Sequence, residues 1–226
     1  MDNRHNVYSP NYKTGIEPTF FGKVMTFFAM ALLASAAGTY VAYTYFFEYF
    51  LQYQALMWVF FALELVLVFT SRMWSTRVPL NRFLFAAFAF ISGVTLAPLL
   101  GIVNQTPEGV SMLSKALLTT GITFTGTALL GWTANVDFSG MRGFLFMGLI
   151  GMIITGVIGI FFPWGSTMEL VFSGMGILLF SAFTVYDFQR IKKYPEDRYI
   201  DAALALYLDI FNLFIYILRF FSASRD

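Results

Sequence analysis

Long runs of apolar residues dominate the sequence and constrain the fold more than any other feature. A membrane-spanning helix needs about 20 largely apolar residues, and the chain contains seven stretches of this kind. A spanning β-barrel would show alternating apolar and polar residues over segments of about ten, whereas these runs are continuous. The sequence therefore predicts an all-α polytopic membrane protein with seven transmembrane helices. The predicted spans are residues 24–46, 54–71, 82–103, 112–132, 143–163, 168–190 and 199–221.

Composition agrees with this fold class and excludes several functions. The chain is 58% hydrophobic and 12% charged, whereas soluble domains are about 45–50% apolar and about 25% charged. A net charge of +1 without a basic block argues against nucleic-acid binding. Cysteine is absent and the one histidine, His5, lies in a polar tail, so cysteine or histidine metal sites and a Ser–His–Asp triad in the membrane are excluded. We expect no cofactor, a tail over 1–21 and a transmembrane domain over 22–226.

Flanking charges predict the orientation. Eleven of the 14 lysines and arginines lie on the side of the membrane that holds the N-terminus. The positive-inside rule then places the N-terminus in the cytoplasm and, with seven spans, the C-terminus outside. A re-entrant last segment would alter this topology. The tail lacks the pattern of a signal peptide, and the short loops favour a bacterial inner membrane over the endoplasmic reticulum, although both fit.

Away from their ends, the predicted spans contain three acidic residues: Glu64, Asp187 and Asp209. A carboxylate at the centre of a membrane helix costs about 2.5–3.5 kcal/mol, so such residues are functional candidates. The sixth and seventh spans are joined by a short loop and are expected to be antiparallel neighbours, which places the two aspartates within about 9 Å in depth. Two close carboxylates do not both ionise readily in a low dielectric, and we expect them to share a proton near neutral pH. A plain ion pair of Asp187 with Arg190, one turn later, is the simpler alternative.

The last span carries a polar stripe on an otherwise apolar helix. Its members share one face: Asp209, Asn212, Tyr216 and Arg219. Calcium prefers oxygen ligands, which Asp187 and Asp209 offer, with Asn212 one turn from the second aspartate. Glu64, in the second span, needs a buried cation. Arg219 is the basic residue available for that pair, unless it extends towards the membrane interface.

Several segments resemble the Bax inhibitor-1 family, also called transmembrane Bax inhibitor motif proteins. FSAFTVYDFQRIKK and ALALYLDIFNLFIYILRFF are similar to its C-terminal signature, FAFISGVTLAPLL to its third span, and GWTANVDFSGMRGFLFMGLIGMII to its fifth-span region. The resemblance covers nearly the whole chain after residue 21. It implies seven helices with the last one central, and a pH-dependent calcium leak.

The resemblance also implies roles for individual residues. Asp187 and Asp209 match a hydrogen-bonded aspartate pair that senses pH and gates the pore, and Glu64 with Arg219 resembles an internal ion pair. The family has an arginine at the cytosolic end of the second span that latches the sixth-span aspartate. Here the matching position is Ser75, so the latch candidates are the flanking residues, Arg72 and Arg77.

These features predict a pH-sensitive calcium leak channel or transporter, which handles calcium ions and protons within the lipid bilayer. A non-conducting regulator that binds other membrane proteins is an alternative, as is an ion exchanger with the same carboxylates. An intramembrane aspartyl protease would also have the sequence Tyr186–Asp187. Such proteases need GxGD at the second aspartate, where this chain has LYLD at 206–209, and the leucines would block a substrate backbone. We therefore expect no enzymatic activity.

Overall fold

The computed structural model describes residues 18–225, and every regular element in that part of the chain is helical. The α-helices in it are α1 Pro18–Val41, α2 Phe47–Gln52, α3 Gln54–Phe69, α4 Ser71–Trp74, α5 Leu80–Asn104, α6 Gly109–Thr133, α7 Arg142–Phe161, α8 Ser166–Ile191 and α9 Tyr199–Ala223. A π-helical segment, Ala42–Phe46, joins α1 to α2. Residues 1–17 of the predicted tail lie outside the described residues. The last four residues of that tail, 18–21, form the first turn of α1, which begins at Pro18.

The helices bear out the expected class of all-helical membrane protein. Five helical segments are long and apolar enough to cross a bilayer: Phe20–Gln52, Leu80–Asn104, Ser139–Phe161, Ser166–Ile191 and Glu196–Ala223. A shorter apolar helix, Ala55–Phe69, coincides with the predicted second span. The predicted fourth span coincides with α6, which is not among the five. The count of seven spans therefore stays a prediction.

The composition of α6 explains why it is less apolar than its neighbours. This helix contains six threonines and one lysine. The hydroxyl groups of Thr120, Thr127 and Thr133 each donate to the backbone carbonyl four residues earlier, at 2.7–2.8 Å. Such local bonds satisfy a polar side chain within its own helix. They remove much of the cost of placing α6 in an apolar environment.

The last helix, α9, lies in the interior of the bundle, where α1, α5, α6 and α8 all contact it. Its fully buried side chains include Tyr207, Leu213 and Leu218. Two edge-on rings, those of Phe85 and Phe88 of α5, pack against Tyr207 at centroid distances of 6.1 and 5.8 Å. Because side chains of this size are enclosed on all sides, α9 is the element around which the other helices are arranged.

Helices α1 and α5 approach each other closely at two glycines. A Cβ atom added to Gly38 would lie 2.1 Å from the carbonyl oxygen of Phe90, and one added to Gly93 would lie 1.9 Å from that of Ser35. The hydroxyl of Thr39 donates to the Gly93 carbonyl at 2.8 Å. Small residues permit this backbone contact between membrane helices, and a polar bond across the contact adds to it.

Candidate functional site

The two intramembrane aspartates lie on α8 and α9, which pack side by side. Asp187 is four residues before the end of α8, and Asp209 lies near the middle of α9. Gly176 contacts Tyr216 and Gly174 contacts Phe220, so the two helices run in opposite directions. Extending this register places Asp187 and Asp209 about 3–6 Å apart in depth, given the 1.5 Å rise per residue. The expected antiparallel arrangement is therefore present.

Both aspartates are buried, with 7% and 3% of their surface exposed. The packing of α8 along α9 places the two carboxyl groups in the same part of the bundle. Asp209 Oδ2 is buried and has no hydrogen-bond partner within residues 18–225. A buried polar atom in this condition is costly. A proton shared with Asp187, or a bound cation, would supply the missing interaction.

One cationic group lies next to this aspartate pair. Arg190 Nη1 is 3.8 Å from Asp187 Oδ1, and its guanidinium lies 4.9 Å from the centre of the Tyr194 ring. The Arg190 side chain is 41% exposed, so it reaches from the buried carboxylate towards the surface. The ion pair of Asp187 with Arg190, which the sequence suggested as the simpler alternative, is thus present. It occurs together with the packing of α8 and α9 that places Asp209 near Asp187.

The two supporting polar residues of α9 do not contact the aspartates as donors. Asn212 Nδ2 donates to the Leu208 carbonyl of its own helix at 2.8 Å. The Tyr216 ring packs on Gly176 and lies 5.7 Å from the Phe180 ring, nearly parallel to it. Among the described residues, no group of three or more His, Cys, Asp or Glu could hold a metal ion.

The expected ion pair of Glu64 with Arg219 is wrong for this structure. Arg219 Nε donates to Glu169 Oε1 at 2.6 Å. Glu64 instead accepts a hydrogen bond of 3.2 Å from the hydroxyl of Thr95. Glu64 and Arg219 do not meet because their helices have different neighbours. Helix α3, which carries Glu64, packs on α5, whereas the C-terminal half of α9 contacts the first turns of α8. Sequence reasoning missed Glu169 because it lies near the end of a span.

Glu169 forms the centre of a polar clamp, which we define as Trp164, Glu169 and Arg219. Trp164 Nε1 donates to Glu169 Oε2 at 2.9 Å, so both carboxylate oxygens are engaged. The Arg219 guanidinium also lies 5.5 Å from the centre of the Phe172 ring. The clamp joins the loop before α8, the start of α8 and the end of α9. No spacing rule marks these three residues as partners in the sequence, because they meet through the packing of α9 against α8.

The two latch candidates are surface residues in this structure. Arg72 lies on the short helix α4 and Arg77 in the loop that follows, and both are exposed. Within the described part of the chain, the cation that contacts Asp187 is Arg190. Ser75, which the resemblance places at the latch position, is fully buried, and its hydroxyl has no partner among the described residues. The latch is therefore not formed here.

The fold and the site define this chain as an all-helical integral membrane protein with a buried aspartate pair between two antiparallel helices. Residues 17–226 match the family model described as Inhibitor of apoptosis-promoting Bax1. The chain belongs to the Bax inhibitor-1 family, as the sequence motifs predicted.

Relatives from bacteria and plants share this similarity. An uncharacterised protein of Campylobacter jejuni is 34% identical over 200 residues, which cover 88% of this chain and 86% of the relative. A BI1-like protein of Arabidopsis thaliana is 36% identical over 157 residues, 68% of this chain and 60% of the relative. An uncharacterised membrane protein of Vibrio cholerae is 40% identical over 128 residues, 56% of each chain.

Proposed function

We propose that this protein is a pH-sensitive calcium leak whose gate is the pair formed by Asp187 and Asp209. The observation that carries the proposal is the buried, unpartnered Asp209 Oδ2 beside a second buried carboxyl group, both within the described residues. Such an oxygen attracts either a proton or a cation, and the two compete for it. Calcium is a hard cation that prefers oxygen ligands, and family membership supports the same assignment.

Gating follows from the charge of the pair. When Asp187 is ionised, Arg190 is held against it at the end of α8. In the closed state that we propose, the ionised Asp187 also holds an arginine from the end of the second span, so protonation releases that arginine, lets α3 move and increases the leak as the pH falls. Because two neighbouring carboxyl groups share a proton near neutral pH, the change is steep between about pH 6 and 8. We propose Arg190 as the counter-charge, and Arg72 or Arg77 as the latch in this closed state.

The membrane topology that we propose has seven spans. Two of these seven, α3 and α6, are not among the five helical segments that are long and apolar enough to cross a bilayer. Helix α3 is short, and the threonines of α6 are hydrogen-bonded within the helix. With these two included, the N-terminus is cytoplasmic and the C-terminus is outside, because most basic residues flank the cytoplasmic side. The short loops favour the inner membrane of a bacterium. Cysteine substitution at both ends with impermeant thiol labelling of intact cells would test this topology, since the chain has no cysteine of its own.

Calcium flux into proteoliposomes that contain the purified protein and a calcium indicator tests the leak. We expect the wild-type rate to rise as the pH falls from about 8 to 6. Asp187→Asn and Asp209→Asn should each flatten the profile. Asp197→Asn is the matched control, because this acid is exposed and lies in the short helical turn Glu196–Arg198 before α9. A wild-type pH profile in the double Asn variant would exclude the pair as the sensor.

The same preparation separates the counter-charge from the latch. Arg190→Ala should raise the leak at alkaline pH, because loss of this counter-charge disfavours the ionised form of Asp187 that keeps the leak closed. If Arg72→Ala or Arg77→Ala produces this rise and Arg190→Ala does not, the latch is the arginine that responds. Absence of flux through folded wild-type protein would favour a non-conducting regulator of other membrane proteins.

We also propose that the aspartate pair has no enzymatic role. Leu206 is fully buried in the bundle, at a position where an intramembrane aspartyl protease needs glycine for close approach of a substrate backbone. Incubation with a reporter transmembrane peptide should yield no cleavage product, and a product that disappears in Asp209→Asn would overturn this proposal.

A further inference from the structure

An apolar groove of about 340 Å³ lies between the middle of α1 and the first two turns of α5. Its apolar lining comes from both helices: Phe27, Met30, Ala31 and Ala34 of α1, and Phe85 and Ala86 of α5. The groove exists because the helices touch at Gly38 and Gly93, while the alanines nearer to their starts leave the space between them unfilled. Its volume lies within the range of about 300–1,000 Å³ typical of ligand sites.

Among the described residues that line this groove, one is cationic. Arg82 lines it and is exposed, in the first turn of α5. The guanidinium lies 5.6 Å from the centre of the Phe27 ring, and Arg82 Nε donates to the Tyr199 hydroxyl at 3.2 Å. These contacts hold the charge over the mouth of the groove. The N-terminal end of α5 adds a partial positive charge at the same place.

We propose that the groove binds a phospholipid with an anionic headgroup. An acyl chain fills the apolar part, where an empty space would forfeit dispersion contacts and water would find too few polar partners. The phosphate lies against Arg82. Phosphatidylglycerol suits this charge better than phosphatidylcholine, because the latter brings a second cation to the arginine. The site is separate from the aspartate pair, and the proposal does not depend on calcium conduction.

The bound headgroup would connect three helices. Tyr199 is the first residue of α9, and its ring lies 5.3 Å from that of Phe27 on α1. Its hydroxyl accepts from Arg82 and lies 3.4 Å from Asn81 Nδ2. A phosphate on Arg82 therefore stabilises the place where α1, α5 and α9 meet. We expect the lipid to raise the thermal stability of the whole bundle.

Thermal unfolding of the delipidated, full-length protein in detergent tests this site. Added phosphatidylglycerol should raise the Tm by about 2–8 °C, and phosphatidylcholine by clearly less. Arg82→Gln should abolish the difference, and Arg82→Lys should keep part of it. Ala34→Phe, which fills the groove, should abolish it with the charge intact; Ala86→Leu does the same from α5. Arg142→Gln, which changes an exposed arginine at the start of α7 outside the lining, is the matched control and should keep it.

Three results would overturn the proposal. Equal shifts with the two lipids in the wild type would remove headgroup recognition. An unchanged shift in Arg82→Gln would place lipid binding elsewhere. The same shift with inorganic phosphate alone would reduce the site to a phosphate contact without an acyl chain. Native mass spectrometry of the wild type, which should retain one phosphatidylglycerol in preference to phosphatidylcholine, decides the matter if the variants fail to fold.

Discussion

Breaking the polar clamp should cost this protein more stability than breaking any exposed ion pair. Arg219 Nε and Glu169 Oε1 are 2.6 Å apart, and their side chains are only 34% and 23% exposed. An exposed pair contributes about 0–1 kcal/mol, and removal of one partner from a fully buried pair costs about 3–5 kcal/mol. Partial exposure places this bond between those limits, and hydrogen bonds to charged groups contribute about 1.5–3 kcal/mol.

We therefore expect Arg219→Met to lower the free energy of unfolding by about 1.5–3 kcal/mol. Glu169→Gln should cost less, because the amide oxygen of the new side chain can still accept the bond that Trp164 Nε1 donates at 2.9 Å. In the double variant no charge is left without its partner, so its loss should be smaller than the sum of the two single losses.

Thermal unfolding in detergent, followed by far-ultraviolet circular dichroism, measures these differences. The chain offers a matched control in Arg225 and Glu108, a pair at 3.7 Å whose side chains are 35% and 69% exposed. Arg225→Met should change stability by less than about 1 kcal/mol. Equal stability of wild type and Arg219→Met, or strictly additive losses in the double variant, would refute the stabilising role of the clamp.

Three further predictions concern other parts of the bundle. Glu64→Gln should lower the free energy of unfolding by no more than about 1 kcal/mol, because an amide oxygen accepts the hydrogen bond from Thr95 equally well. Unfolding in detergent measures this loss, and a loss as large as that of Arg219→Met would reveal a cationic partner of Glu64. Gly93→Leu should prevent folding, as judged by expression and gel filtration, since its Cβ would lie 1.9 Å from a backbone oxygen; Gly151→Leu, whose Cβ would meet no atom of the described residues within 4 Å, should be tolerated. Burial raises the pKa of Tyr194 to about 12. The stability that the neutral Tyr194 side chain contributes is therefore present below its ordinary pKa of 10 and is lost as the pH rises towards 12. Tyr194→Phe should lessen that loss in unfolding curves recorded at alkaline pH.

The partners of the buried charges show where sequence reasoning stops. The period of 3.6 residues places Asp209 and Arg219 on one face of the last helix, but it does not say which helix that face meets. The sequence analysis pairs Arg219 with Glu64 because both lie inside predicted spans. The structure brings it to Glu169, since α9 packs along α8 while α3 contacts α5. Contacts between helices that are distant in the chain depend on packing, and hydropathy does not encode them.

The sequence by itself determined the class of this protein: long apolar runs leave helices in a membrane as the solution that satisfies every backbone hydrogen bond. It also predicted that Asp187 and Asp209 lie near each other, because a short connection makes consecutive helices antiparallel neighbours. Only the tertiary structure decided that Asp209 Oδ2 is left without a partner within the described residues, and that alanines between α1 and α5 leave a groove beside Arg82. Both features arise from the rotation and spacing of packed helices, which are set by the whole bundle at once.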